Sequence, residues 1–422
     1  MADFHQNGNI VHFHNLRSRP AHDLVHELES FAREHRITLV LPCLYSEIEG
    51  PALANILQEL AQVAYLHRII VGLDQADERQ FRNARAFFSA LPQDHVVIWN
   101  DSPRMKAIER TLASLGLAAP EAGKGKNVWT SMGYLIACAD SAVMALHDCD
   151  ILTFERDMLA RLIYPVANPA FPYQIAKGFY PRIGGGKLNG RVSRLLVSPL
   201  LIALKRTIGD RDYLDYLRSF RYPLSGELAL RTPLLPELRI TSDWGLEIGV
   251  LSEAWRNLGP RSVCQVEIAD AYDHKHQAVS EHDSSTGLNR MSMDISKAIF
   301  RKLAADGTVF TANMFRTLRA TYYRSALDLL EAYDNDAKMN GLLVDRHAEE
   351  RTIELFADNV VRAGQIFLQD PHETPFIPTW SRVYAADPTL LSELQAAVAA
   401  DAQEFAPIAR HAVPSYDGAP AF

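Results

Sequence analysis

Two aspartates one residue apart, Asp148 and Asp150, close an apolar run as His147-Asp148-Cys149-Asp150. Carboxylates at that spacing can share a hard divalent cation and, through it, the phosphates of a ligand. The plainer reading of Asp-x-Asp is a strand-to-loop turn with solvated or capping aspartates, against which the strand-end position weighs. Upstream, Gly123-Lys124-Gly125-Lys126 opens a helical pattern, so free backbone N–H groups, a helix N-terminus and lysine charge coincide. That combination suits an anion such as a diphosphate. The GxxxxGK[ST] phosphate loop is absent, and two solvated lysines on a flexible loop is the competing reading. Asp273, His274, Lys275 and His276 follow a further apolar run. An imidazole beside a carboxylate there can complete a divalent site, or two histidines simply lie exposed at a strand end. In Asn189-Gly190-Arg191-Val192-Ser193 an arginine after glycines can fork onto a carboxylate or phosphate, or merely sit on the surface where a helix starts. Glu247, inside the apolar, glycine-flanked stretch Trp244 to Gly249, is an acid too expensive to bury unless paired. Ser225-Gly226-Glu227 repeats the acid-after-glycine step with less specificity.

The elements that must position these groups alternate. ITLVLPCL (Ile37 to Leu44), HRIIVGLD ending at Asp74, HVVIWND ending at Asp101 and SAVMALHDCD ending at Asp150 are apolar runs closing in polar residues. Between them lie helical patterns, with Leu53, Ile56, Leu57 and Leu60 in one and Val128, Met132, Leu135 and Ile136 in another. Strand and helix in alternation predict a Rossmann-like α/β fold, a mostly parallel sheet flanked by helices, whose ligands bind beyond the carboxyl ends of the strands. Leu44, Asp74, Asp101 and Asp148 to Asp150 would gather there. Gly184-Gly185-Gly186 predicts a mobile loop. His12 and His14 fall in a stretch without evident structure. From about Asn289 the helical period takes over, on faces such as Phe315, Leu318 and Tyr322, and Ile353, Phe356, Val360, Gly364 and Phe367. Asp387 and Pro388 read as the cap and first residue of a last helix. Three regions are expected: an N-terminal extension (1–30), a catalytic α/β domain (31–285) and a mainly helical C-terminal region (286–422).

Composition narrows the function. With 43 basic and 51 acidic residues the formal charge is −8, which disfavours a general nucleic-acid binder and leaves any anionic substrate to a local basic pocket. No run approaches the roughly 18 apolar residues of a membrane span. The four cysteines are scattered without CxxC pairing, which suggests neither a zinc site nor a disulfide framework and fits a reducing cytoplasm.

Taken in order, several of these segments resemble one family. They are Val40 to Leu44 (VLPCL), Gly123 to Gly125 (GKG), Asp148 to Asp150, Asn189 to Leu201 (NGRVSRLLVSPLL), Ser225 to Glu227, Gly245 to Leu251 (GLEIGVL) and Tyr272 to Gln277 (YDHKHQ). The set is similar to the glucosyl-3-phosphoglycerate synthases, retaining glycosyltransferases of the GT-A fold. The resemblance implies glucose transfer from UDP-glucose to the 2-hydroxyl of 3-phosphoglycerate. It implies that Leu44 and Glu47, with Asp74, hold the uridine, and that Lys124 and Asp148 meet the nucleotide-sugar. It further implies that Asp150 and His274 bind Mg²⁺, replaceable by Mn²⁺ or Co²⁺. Gly190, Arg191 and Ser193, with His276, take the phosphoglycerate. Glu247 stands near sugar and acceptor, and Glu247 and Asp150 are the catalytic pair. The C-terminal helices are expected to form a homodimer interface or to cover the cleft. Three alternatives remain on sequence alone: a mannosyl-3-phosphoglycerate or mannosylglycerate synthase using GDP-mannose, a catalytically silent nucleotide-sugar-binding protein, and a nucleotidyltransferase.

Overall fold

A computed structural model describes residues 8–273, 287–371 and 376–407. Eight strands form one sheet: β1 (Val11–Phe13), β2 (Ile37–Leu44), β3 (Leu66–Asp74), β4 (Asp94–Trp99), β5 (Val143–Leu146), β6 (Ile175–Phe179), β9 (Leu228–Arg231) and β11 (Val263–Glu267). A hairpin, β7 (Ile183–Gly184) with β8 (Lys187–Leu188), and a two-stranded ribbon, β10 (Ile240–Thr241) with β12 (Phe376–Ile377), stand apart from it. The sheet order is β1-β11-β6-β9-β5-β2-β3-β4, and every pairing is parallel except those of β9 with β5 and β6. The four apolar runs predicted as strands are β2, β3, β4 and β5. They lack polar alternation because both faces of the sheet are covered. Leu39 and Leu41 of β2 turn to one core and Val40 to the other.

The two cores differ in reach. One packs the Leu53 and Phe81 helices against Ile69 and Val71. The other runs from Val40, Ile70 and Val128 through Leu196 and Leu200 to Phe300, Phe315, Phe356 and Leu394, so the C-terminal helices share a core with the sheet. A Cβ on Gly364 would stand 2.4 Å from Phe315, so only glycine lets those two helices meet this closely. Residues 376–380 strap across the Lys124–Cys138 helix. Trp380 stacks on Trp129 at 4.1 Å and 17°, and each indole N–H donates to a backbone carbonyl of the other segment, Trp129 to Pro378 and Trp380 to Trp129.

Three local expectations are corrected. The stretch holding His12 is a strand: β1 lies parallel to β11, and His12 is buried with its Nε2 2.5 Å from the Gln265 amide nitrogen. Three residues are too few to show a period, so β1 depends on the neighbouring strand for its order. The glycine run forms the turn of the β7–β8 hairpin, with Gly185 and Gly186 at φ 57° and 69°, the left-handed values that a two-residue hairpin turn requires. The last helix begins at Leu390, not at Pro388, because the Asp387 carboxylate accepts from the backbone N–H and hydroxyl of Thr389 and so caps a turn before the helix. Among the described residues no helix is long and apolar enough to cross a membrane.

Candidate active site

The carboxyl ends of the central strands converge as expected. Leu44 and Asp74 are register partners at the ends of β2 and β3, with Leu44 39% exposed. Asp74 accepts from the Asn100 amide at 2.7 Å, and burial raises its carboxyl above the ordinary value. Glu47 lies in the single helical turn Tyr45–Ile48 that follows β2. Asp148 stands two residues beyond β5, and Asp150 precedes the turn at Leu152 and Thr153.

Next to these ends opens a cavity of about 420 Å³ lined by Lys124, Asp148, Gly190, Arg191 and Glu247 among others. Lys124 is the first residue of the Lys124–Cys138 helix, whose N-cap is Gly123 and whose first turn no side chain caps. Its backbone donors and the positive end of the helix dipole therefore stand open to an anion. The Lys124 ammonium sits 2.6 Å from Asp148 Oδ1 and 3.2 Å from Glu247 Oε1. Burial works against that charge, but the two carboxylates outweigh it and hold the ammonium above its usual pKa. Glu247 is in the first turn of the Leu246–Asn257 helix, so its own N-terminal dipole favours the carboxylate. The close approach of Asp148 needs Gly226, where a Cβ would fall 2.4 Å from Asp148 Oδ2.

The same cavity is lined by further groups to which sequence reasoning gave no role. Tyr180, Arg182, Tyr222, Trp244 and Tyr272 line it, with Arg290 and Met291 contributed by the Gly287–Ala305 helix of the C-terminal region. Under it, Glu227 is wholly buried and accepts hydrogen bonds from the hydroxyls of Tyr180 and Tyr272, whose rings stack at 3.7 Å and 3°. Beside it the buried Lys177 ammonium, pushed down to about 8 by its burial, donates to the Ser225 carbonyl. The acid-after-glycine step at Glu227, given little weight in sequence, thus anchors the aromatic wall. Tyr180 and Tyr222 had no signal, being on irregular segments, and Tyr272 was visible only as the start of YDHKHQ.

Arg191 is exposed at the N-cap of a π-helix, Val192–Val197, within which Ser193 is buried behind the cavity wall. That segment is fixed by Arg194. Its guanidinium spans Glu349, with Nη2 at 2.5 Å and Nη1 at 3.1 Å, and donates to the carbonyls of Asn189 and Leu188 at 2.8 and 3.2 Å. His274 and His276 lie outside the described residues. Asp273, the last residue before them, is tied to the turn after Asp150: its carbonyl accepts from Leu152 N at 2.9 Å and its N–H donates to Thr153 Oγ1 at 3.1 Å. No group of three or more potential metal ligands occurs among the described residues.

No protein-family profile matches the chain. Among curated proteins it is 44% identical to the glucosyl-3-phosphoglycerate synthase of Persephonella marina, over 95% of this chain and 99% of that one. To that of Methanococcoides burtonii it is 35% identical, over 90% of this chain and 94% of that one. Among solved structures it is similar to the Mycobacterium tuberculosis glucosyl-3-phosphoglycerate synthase in complex with phosphoglyceric acid, with a TM-score of 0.51, 21% identity and coverage of 70% of this chain and 88% of that one. The same enzyme in complex with Mn²⁺ and UDP-glucose gives a TM-score of 0.51 at 21% identity, over 69% and 86% of the two chains. At that identity the structural likeness concerns the fold, a GT-A sheet with its flanking helices.

Proposed function

The chain belongs to the glucosyl-3-phosphoglycerate synthase family, and from that premise we propose that it moves glucose from UDP-glucose to the 2-hydroxyl of 3-phosphoglycerate in the cytoplasm, as a homodimer. The observation that carries this reading is the Lys124–Asp148–Glu247 ion cluster facing a cavity that Arg191 also lines. It joins a site for a nucleoside diphosphate to a site for a small acid.

In this reading Leu44, Glu47 and Asp74 hold the uridine at the ends of β2 and β3. The diphosphate lies at the open N-terminus of the Lys124–Cys138 helix, where Lys124 turns from Asp148 towards the ligand. A divalent cation suits the donor set, because Asp150 offers hard oxygen and the chain reaches His274 directly from a residue pinned beside that turn. Asp150 and His274 would hold Mg²⁺, Mn²⁺ or Co²⁺, which when bound supplies a Lewis acid for the departing UDP. Gly190 and Arg191, backed by the buried Ser193 and joined by His276, take the acceptor and set its 2-hydroxyl beside the anomeric carbon, so positioning supplies much of the rate.

Retention follows without a covalent intermediate. The bond from the anomeric carbon to the β-phosphate oxygen breaks and the bond to the acceptor oxygen forms on the same face. The hydroxyl proton passes to the departing phosphate. Glu247 is engaged by Lys124 at 3.2 Å, which suits a carboxylate that steadies positive charge at the anomeric carbon and orients the sugar.

The test is UDP release from UDP-glucose with Mg²⁺, with and without 3-phosphoglycerate, alongside GDP-mannose and an Asp150→Ala control. Release that requires the acceptor, prefers UDP-glucose and disappears in the control is expected. A glycosyl adduct trapped on Glu247 would overturn the same-face mechanism. Silence with 3-phosphoglycerate in a protein that still binds UDP would overturn the acceptor.

A further inference from the structure

Charges that face a cavity are usually matched before any ligand arrives, since an uncompensated charge in a half-dry site costs free energy. Most of them here follow that rule. Lys124 has Asp148 and Glu247, Arg290 has Glu121 and Asp294, and Arg194 behind the wall has Glu349. Arg182 does not. It lies between β6 and the β7–β8 hairpin and lines the cavity. Among the described residues no carboxylate comes within ion-pairing distance of it, and its Nε is buried without a hydrogen-bond partner.

Nor is this a loose surface arginine. Its guanidinium carbon stands 5.4 Å from the ring centre of Tyr272 and 6.0 Å from that of Tyr222, and Nη1 donates to the Tyr222 hydroxyl at 3.0 Å. Tyr272 is itself fixed by its stack on Tyr180 and its hydrogen bond to the buried Glu227. Rings and hydroxyl hold the fork in place while offering no negative charge to answer it. A planar fork of donors held this way matches a carboxylate or a phosphate.

We infer that Arg182 is an anion-binding, specificity-determining residue for the acceptor, which with Arg191 selects a small acid carrying two anionic groups. This rests on the acceptor reading above. Asp148 and Glu247, in the same cavity, repel the acceptor's negative ends, while Arg182 and Arg191 attract them. A three-carbon acid with a carboxylate at one end and a phosphate at the other is thereby turned so that its middle hydroxyl faces the ion cluster. An acid with one anionic group would satisfy one arginine and leave the other uncompensated, which is a basis for rejecting it.

The experiment is steady-state kinetics of Arg182→Gln and Arg182→Lys with 3-phosphoglycerate, with inhibition by D-glycerate and glycerol 3-phosphate and calorimetric binding of UDP. For Arg182→Gln we expect KM for 3-phosphoglycerate to rise about 10- to 100-fold, as for a lost hydrogen bond to a charged group, with UDP affinity and donor KM within about twofold. Arg182→Lys recovers only part of the loss. The inhibition constant of whichever truncated acceptor keeps the group bound by Arg182 rises in parallel, and the other changes less than about threefold. An unchanged acceptor KM, or equal losses in acceptor, inhibitors and UDP, would overturn the assignment. Wild-type release that ignores 3-phosphoglycerate altogether overturns the acceptor reading itself, and is distinguished because it appears before any variant is compared.

Discussion

Two groups of residues line the cavity, and they are built in opposite ways. Lys124, Asp148 and Glu247 hang from regular elements, the first turn of one helix, the end of β5 and the first turn of another, and the one ammonium bridges both carboxylates at 2.6 and 3.2 Å. The second wall, from Tyr180 to Arg191 with Tyr222 and Tyr272, has little regular structure and is propped from behind by Glu227 and by the Arg194–Glu349 pair. One wall is preorganised by secondary structure and holds its charges paired. The other is preorganised by buried side chains and keeps guanidinium groups for a ligand. A wall of the first kind loses function when a charge is removed and keeps its shape. A wall of the second kind loses shape when a prop far from the ligand is removed.

The sharpest way to test that division is Lys124→Met, which leaves Asp148 and Glu247 facing each other and removes the cation for the diphosphate. A fall in kcat/KM of about 10³-fold is expected, with acceptor affinity in direct binding little changed. Equal loss of acceptor binding would break the comparison. On the other wall, Glu349→Ala strands Arg194 in a buried site. Chemical denaturation should show a loss of about 3–5 kcal/mol, accompanied by an acceptor KM raised about tenfold and an unchanged donor KM. Replacing both partners, Arg194→Met with Glu349→Leu, should restore stability and leave the acceptor KM raised, since the carbonyls of Leu188 and Asn189 lose their donor. Gly226→Ala sits at the junction: its methyl pushes against Asp148, and kcat should fall about 10- to 100-fold with the melting temperature within a few degrees of wild type.

The smallest effect concerns Asp243, which lines the cavity and whose carboxyl is pushed up to about 6 by burial first and by Asp294 next, against the Gly245 N–H, Lys297 and Arg301. Unfolded, it titrates near 3.9, so between about pH 4 and 6 the folded state binds the extra proton. Stability from this group is therefore full at the low end and is lost as pH rises through 6. Relative to Asp243→Asn, the wild type should lose about 2–3 kcal/mol between pH 4 and 7, read from denaturant melts. A difference that stays flat with pH would show the carboxyl to be ordinary.

How much could be read from sequence follows the same division. The strands β2 to β5 and the strand-end residues Leu44, Asp74 and Asp148 were legible because a strand buried on both faces must be continuously apolar and must end where it meets water. Lys124 was legible as a charge at a helix start, and Glu247 as an acid set in an apolar, glycine-flanked run. Arg182, Tyr180 and Tyr222 were not, since they sit on segments with neither period, and Tyr272 entered only as the first residue of YDHKHQ, because nothing local distinguishes a tyrosine that anchors an arginine from one that fills a core. Arg194 and Glu349 are 155 residues apart and meet only because three helices of the C-terminal region pack on the π-helix segment. The buried edge strand β1 was missed for a related reason: its order comes from Cys264 to Val266 alongside it, not from its own three residues.

The strap at residues 376–380 bears on how little of the polypeptide a working enzyme needs. Thr241 of β10 is so close to the start of the Lys124–Cys138 helix that a Cβ on Gly125 would fall 1.9 Å from the Thr241 carbonyl oxygen, and β10 has β12 as its pairing strand. A fragment stopped at residue 285, where composition and period change, would lack β12 and the Trp380 stack on that helix. Any minimal catalytic fragment, chimera or split version of this chain must therefore carry the strap and also the Leu390–Glu404 helix, whose Leu390, Leu394 and Val398 are buried in the core shared with the sheet.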